Sequence, residues 1–278
     1  MALSGKPGPI GVFDSGYGGL TILHGMRQLL PQYDYLYLGD NARTPYGTRS
    51  FDVVYRFTRQ AVMKLFERGC HLVILGCNTA SAKALRSIQQ NDLPLVAPDR
   101  RVLGIIRPTA EKIGQLTTKR HVGILATEGT IKSNSYNLEI SKLYPDIKVS
   151  GVACPFWVPL VEYNEADSPG ADYFVKKRID QLMDLDPDID AIILGCTHYP
   201  LLMPKIKKYV PEGVRIVSQG EYVADSLADY LARHPEMERR CSKGGTCNYL
   251  TTENTDRFKE SAQMFLHESV DVENIVLG

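Results

Sequence analysis

The sequence predicts an α/β fold of two similar, doubly wound parallel-sheet domains. They are expected to be related by a pseudo-two-fold, with the active site in the cleft between them. Three observations predict this. Strand-like apolar runs alternate with amphipathic helical stretches along most of the 278 residues, as in a parallel sheet wrapped by helices. The strand-like runs are continuously apolar rather than alternating, as strands buried on both faces are. One run occurs twice: His71-Leu72-Val73-Ile74-Leu75-Gly76-Cys77-Asn78-Thr79 and Asp190-Ala191-Ile192-Ile193-Leu194-Gly195-Cys196-Thr197-His198 both pass through Leu-Gly-Cys into small polar residues.

In chain order, residues 9–13 form a strand entering the loop Asp14-Ser15-Gly16-Tyr17-Gly18-Gly19. A helix over 20–30 is stopped by Pro31, and a strand over 35–38 precedes the loop Pro45-Tyr46-Gly47. A helix over 50–68 ends at Gly69, a residue suited to the left-handed turn after a helix. A buried strand over 72–75 and a helix over 79–90 follow, closed by Pro94 and Pro98. The second half repeats the scheme: a strand over 122–125, the turn Thr127-Glu128-Gly129-Thr130, a helix over 133–143, a strand over 149–153 ending at Cys154-Pro155, a helix over 173–185 and a strand over 191–194. A strand over 214–217, a helix over 221–232, a strand over 249–251, a helix over 255–266 and a strand over 275–277 complete the chain. The interval from Asp14 to Cys77 is 63 positions and that from Thr127 to Cys196 is 69, similar separations that support a duplicated unit. The first domain is expected to comprise 1–99 plus about 212–278 and the second about 100–211, with 100–108 as the first crossing.

Composition narrows the partners. Lys and Arg total 32 and Asp and Glu total 32, so no global basic field gathers nucleic acid or an anionic membrane. Lys205-Ile206-Lys207-Lys208 reads as a solvated helix face. No stretch approaches a membrane span, and the N-terminal residues lack the apolar core of a signal peptide. The expected location is the cytoplasm. There the six cysteines remain reduced thiols. Cys70 and Cys154 read as small buried hydrophobes. Cys241 and Cys247 read as loop thiols, and no metal site is expected.

Ligands of open α/β sheets gather at the carboxyl ends of strands. Asp14, Ser15, Cys77, Thr127, Cys154 and Cys196 all fall there. Two thiols on opposed halves of a cleft can address both faces of one carbon, removing a proton from one face and returning one to the other. A thiol near its reference value of 8.5 is only slightly ionised at neutral pH. A helix N-terminus after Cys77 and His198 beside Cys196 are the influences available to lower it. The Gly-rich loop lacks the full dinucleotide spacing, because position 21 is Thr. Its alternative reading is anion binding by backbone N–H groups. Asn78, Thr79, Thr127, Thr130 and Thr197 add short donors suited to a small zwitterion. Taken alone, His198 also admits a structural reading and Asp14 a helix-capping one. Tyr46 and Trp157 read as packing residues.

These blocks resemble the glutamate racemases. Ile10-Gly11-Val12-Phe13-Asp14-Ser15-Gly16-Tyr17-Gly18-Gly19-Leu20 is similar to that family's opening signature. Pro45-Tyr46-Gly47, Cys77-Asn78-Thr79-Ala80-Ser81, Cys154 through Glu162, and Gly195-Cys196-Thr197-His198-Tyr199-Pro200 resemble its other blocks. The resemblance implies cofactor-independent interconversion of L- and D-glutamate, supplying D-glutamate for peptidoglycan, by an enzyme that is a homodimer. Carried over, it implies that Cys77 takes the α-proton of D-glutamate and Cys196 that of L-glutamate. Asp14, His198 and Glu162 would assist them. Ser15, Pro45, Tyr46, Gly47, Asn78, Thr79, Thr127, Thr130 and Thr197 would hold the substrate, together with Asp14 and His198. The chain departs from the family pattern at Tyr17, at Arg107 and at Ser218-Gln219-Gly220. A racemase of aspartate or another small acid is the nearest rival, and a non-catalytic carboxylate-binding protein is a rival of another class. A cysteine phosphatase would need Arg at position 83, which is Lys83.

Overall fold

A computed structural model describes residues 5–278; residues 1–4, on which part of the signal-peptide expectation falls, lie outside it. Among the described residues, ten strands form two parallel sheets. The first has the order β10-β9-β2-β1-β3-β4 and the second β6-β5-β7-β8. β1 (Ile10–Asp14), β2 (Tyr35–Gly39), β3 (Leu72–Leu75), β4 (Arg101–Gly104), β9 (Cys247–Thr251) and β10 (Val272–Asn274) build the first sheet. β5 (His121–Ala126), β6 (Lys148–Ala153), β7 (Ala191–Gly195) and β8 (Arg215–Val217) build the second. Every residue of β1, β2, β3 and β7 is buried, which is why those runs carry no charged residue before Asp14 at the end of β1.

Register brings the strand ends into line. Phe13 lies beside both Leu38 and Leu75, and Asp14 beside Gly39. In the second sheet Ala126 lies beside both Ala153 and Gly195. Ser15, Cys77, Thr127, Cys154 and Cys196 therefore emerge from aligned carboxyl edges.

Sheet membership moves the expected domain boundaries. β4 pairs with β3, so residues 101–104 belong to the first sheet; the crossing expected at 100–108 begins only after Gly104. β8 pairs with β7, so residues 215–217 belong to the second sheet. Both are short edge strands with an exposed arginine at the start, and neither carries the long apolar run that marks a central strand.

Helices follow their local signals where caps are explicit. Helix Phe51–Glu67 starts at Ser50, whose side chain accepts the Val53 N–H, and Gly69 after it has φ +94. Its Ser-capped, amphipathic pattern is unambiguous. The helix expected over 79–90 is instead broken: Asn78–Lys83, Leu85–Ser87, a π turn Ile88–Asp92, and Leu93–Val96. Pro94 does not close it but sits just after the π turn, which runs directly into the last piece. Asn134 at φ 57 divides the segment after β5 into Glu128–Lys132 and Ser135–Leu143. Helix Trp157–Glu162 was not expected from a segment containing Pro155 and Pro159. Residues 275–277 are not a strand; Val272–Asn274 pairs instead, and Ile275 is apolar because it is buried in a cluster with Phe13, Leu38 and Leu250 of the first sheet. Cys247 opens β9 and Cys241 is buried at a bridge with Gly8, so neither is a loop thiol. No helix among the described residues is long and apolar enough to cross a membrane.

Candidate active site

One cavity of about 70 Å³ opens between the two sheets' carboxyl edges. It is far smaller than the few hundred Å³ of a typical drug-sized site, and so suits a compact ligand. Ser15, Pro45, Tyr46, Gly47, Cys77, Asn78 and Thr79 line it from the first sheet's side. Thr127, Cys196, Thr197 and His198 line it from the second. Thr44, Thr48, Glu128, Cys154, Pro155, Val158 and Pro159 complete the wall. Asp14, Glu162 and Thr130 stand behind it. Both Cys77 and Cys196 keep 6% of their surface exposed, so each sulfur's residue is buried yet borders the same space.

Cys77 caps helix Asn78–Lys83, its sulfur accepting the Ala80 N–H at 3.4 Å. Ser15 Oγ lies 3.3 Å from the same sulfur. These contacts favour the thiolate, and the helix start was expected to lower the thiol. Burial outweighs them: with the nearby Asp14 carboxylate it pushes the Cys77 thiol up to about 12. Cys77 therefore holds its proton at neutral pH. Asp14 does not cap the following helix; its Oδ2 accepts the Gly16 N–H at 2.9 Å. Its Oδ1 is buried without a partner. Burial raises its carboxyl above the usual range, against the charge of His198 and the N–H groups of Gly16 and Gly19.

The other side is set differently. His198 Nδ1 lies 3.9 Å from Cys196 Sγ, and Nε2 lies 3.0 Å from Glu162 Oε1. Burial depresses the imidazole, but the Cys196 sulfur and the Glu162 carboxylate outweigh it and push His198 up to about 10. It is an imidazolium at neutral pH, the partner a thiolate needs. Glu162 reaches it because Trp157, on the same short helix, packs edge-on against Tyr199 with ring centroids 4.8 Å apart. Such a pair contributes about 0.5–1.5 kcal/mol beyond its buried area. Phe265 sets its edge against His198 at 5.8 Å and 90°.

The polar wall is pre-arranged. Thr127 Oγ1 lies 2.9 Å from Thr79 Oγ1 and 3.0 Å from Thr130 Oγ1. The Gly129 N–H donates to Gly47 O at 2.7 Å, tying the Pro45-Tyr46-Gly47 loop across the cleft. Tyr46 both lines the cavity and packs against Phe13 and Phe57, its hydroxyl donating to buried Asp40. Of the Gly-rich loop only Ser15 lines the cavity, and the Gly16 N–H is taken by Asp14. The loop's glycines allow close approach, since a Cβ on Gly18 would stand 2.4 Å from both His198 Nδ1 and Thr197 Oγ1. Tyr17 packs against Phe258. Arg107 pairs at the surface with Glu111 and Glu139.

Sequence reasoning missed Thr44, Thr48, Glu128, Pro155, Val158 and Pro159 as wall residues; Cys154, read both as a strand-end residue on the ligand side and as a small buried hydrophobe, is buried and also lines the cavity. Pro155, Val158 and Pro159 lay inside a segment already singled out, so its unusual proline density was the available signal.

The sequence pattern of the Asp/Glu/Hydantoin racemase family matches residues 18–227. A glutamate racemase of Ruegeria sp. (strain TM1040) is 39% identical over 274 residues, 95% of this chain and 98% of that protein. A glutamate racemase isoform from Bacillus anthracis superposes with TM-score 0.88 at 34% identity, covering 97% of each chain. The Francisella tularensis glutamate racemase, solved in complex with D-glutamate, gives TM-score 0.85 at 31% identity, again over 97% of each chain.

Proposed function

The chain belongs to the Asp/Glu/Hydantoin racemase family, and from that premise we infer that it is a glutamate racemase working by two cysteines and no cofactor. The observation that carries the reading is two thiols on one small cavity, one beside Ser15 and the other beside the His198–Glu162 pair. With L-glutamate bound, the Cys196 thiolate takes the α-proton and becomes a thiol. The electron pair of the broken C–H bond stays on the substrate, delocalised into its carboxylate. Cys77 then gives its proton to the opposite face and is left as a thiolate, and D-glutamate leaves. In the reverse direction the two sulfurs exchange roles.

Each assisting group acts on a named atom. His198, charged and held by Glu162, stabilises the Cys196 thiolate. Asp14 and Ser15 serve Cys77, Asp14 as the carboxyl that takes up or returns its proton between turnovers. Asn78, Thr79, Thr127 and Thr197 donate to the substrate's carboxylates, with Thr130 bracing Thr127 and the Pro45-Tyr46-Gly47 loop closing the wall. Burial excludes water from a weakly acidic C–H, and fixed donors face the charge that develops. The same reading takes the enzyme as a cytoplasmic homodimer with free glutamate as its ligand and no nucleic-acid or membrane partner. Its D-glutamate feeds peptidoglycan synthesis, as in the family it resembles.

The test is the optical rotation of L-glutamate and of L-aspartate incubated separately with pure enzyme. Glutamate is expected to lose its rotation fully. Aspartate, one methylene shorter, is expected to be at least about tenfold slower, the usual cost of a misfitting methylene. Equal rates, or faster loss with aspartate, would favour the aspartate reading; no loss with either would favour a binding protein.

A further inference from the structure

Gln219 lies outside the cavity wall, yet it is 3% exposed and every polar atom of its amide is used. Its Oε1 accepts from Asn78 Nδ2 at 2.6 Å. Its Nε2 meets Tyr136 OH at 2.9 Å, Thr109 Oγ1 at 3.0 Å and Ile105 O at 3.1 Å. Tyr136 closes the ring by donating its hydroxyl to Asn78 Oδ1 at 2.7 Å. Asn78 and Tyr136 are each 2% exposed, so this is a buried and satisfied polar network.

Its position in the chain gives it a purpose. Ile105 directly follows β4, where the chain first passes from one sheet to the other. Gln219 follows β8, where it passes back. Tyr136 belongs to the second sheet's helices and Asn78 to the helix after β3. One amide thus joins both crossings to a residue on the cavity wall.

We propose that Gln219 is a positioning residue that fixes the side-chain amide of Asn78 for substrate binding. An asparagine amide has two N–H donors and one carbonyl. Tyr136 occupies the carbonyl and Gln219 takes one N–H, so the amide cannot flip. The second N–H is left for a ligand in the cavity that Asn78 lines. The chemistry it suits is a carboxylate oxygen. The proposal rests on the glutamate-racemase reading.

The experiment measures KM, kcat and thermal midpoint for Gln219→Met and Tyr136→Phe, each in the natural chain and with Asn78→Ala. Each single change is expected to raise KM for glutamate about tenfold, the loss of one oriented hydrogen bond, with kcat within about threefold. In the Asn78→Ala background the same changes are expected to move KM by less than about twofold. Tyr136→Phe keeps the ring packing and serves should Gln219→Met fail to fold. A lower thermal midpoint with unmoved KM would overturn the proposal, as would a tenfold KM effect that persists without Asn78. Natural enzyme that does not racemise glutamate would instead overturn the functional reading.

Discussion

Replacing either Cys77 or Cys196 by serine is expected to lower kcat by roughly a thousandfold in both directions, the range a positioned general acid or base contributes. Affinity for glutamate is expected to stay within a few-fold, because the substitution keeps size and leaves the donors of the wall in place. The two changes remove different halves of one event. Without the Cys196 sulfur, the imidazolium of His198 faces a hydroxyl that does not ionise near neutral pH. Without the Cys77 sulfur, no acid of suitable strength faces the far side of Cα. Both directions therefore fail in each variant. Polarimetry measures the turnover and calorimetric titration the binding. Cys70→Ala is the control: Cys70 is fully buried, lies outside the cavity wall, and its sulfur packs beside Gly11. Its loss is expected to leave kcat within about twofold, as for a site uninvolved in chemistry. A Cys77→Ser enzyme retaining a tenth of natural turnover would remove that sulfur from the mechanism.

Gly18→Ala is expected to cost about a hundredfold in kcat, the penalty for displacing a reacting group by around an ångström. Gly18 is not among the residues at positive φ, so the effect is one of contact and not of backbone strain. The added methyl carbon would stand 2.4 Å from His198 Nδ1 and 2.7 Å from His198 Cε1. The imidazole has little freedom to yield, held by Glu162 at one nitrogen and by the edge of Phe265. Any yielding moves Nδ1 relative to Cys196. Gly170→Ala provides the comparison: its methyl would meet only Ser168 Oγ, at 3.6 Å, and is expected to leave turnover unchanged. If Gly18→Ala turns over as the natural enzyme does, His198 is not constrained by that loop.

Much of this site was legible in the sequence because its chemistry sits where fully buried strands end. Leu72–Leu75 and Ala191–Gly195 are apolar from end to end, so the cysteines after them stand out, and the repeat of Leu-Gly-Cys marks them as a pair. Edge strands carry no such contrast. Arg101–Gly104 and Arg215–Val217 are short and partly exposed, and their sheet membership was misplaced. The direction of the Cys77 shift was also out of reach. A helix N-terminus is visible in sequence, but the burial that overrides it is a property of the assembled cleft. Glu162 entered only through family resemblance, since it meets His198 across 36 positions by way of a short helix with a proline in it. The Asn78–Gln219–Tyr136 ring joins three segments with no local signature at all.

The central claim is that two different sulfurs serve the two faces of Cα, and hydrogen-isotope exchange tests it most directly. L-glutamate is incubated with the enzyme in deuterium oxide, and both enantiomers are separated early, before the reverse reaction contributes. The account predicts one deuterium at Cα of the D-glutamate formed and almost none in the L-glutamate recovered, because the base that removes the proton is not the acid that returns one. Deuterium entering the recovered L-glutamate as fast as the product, or product that keeps its original α-hydrogen, would contradict it.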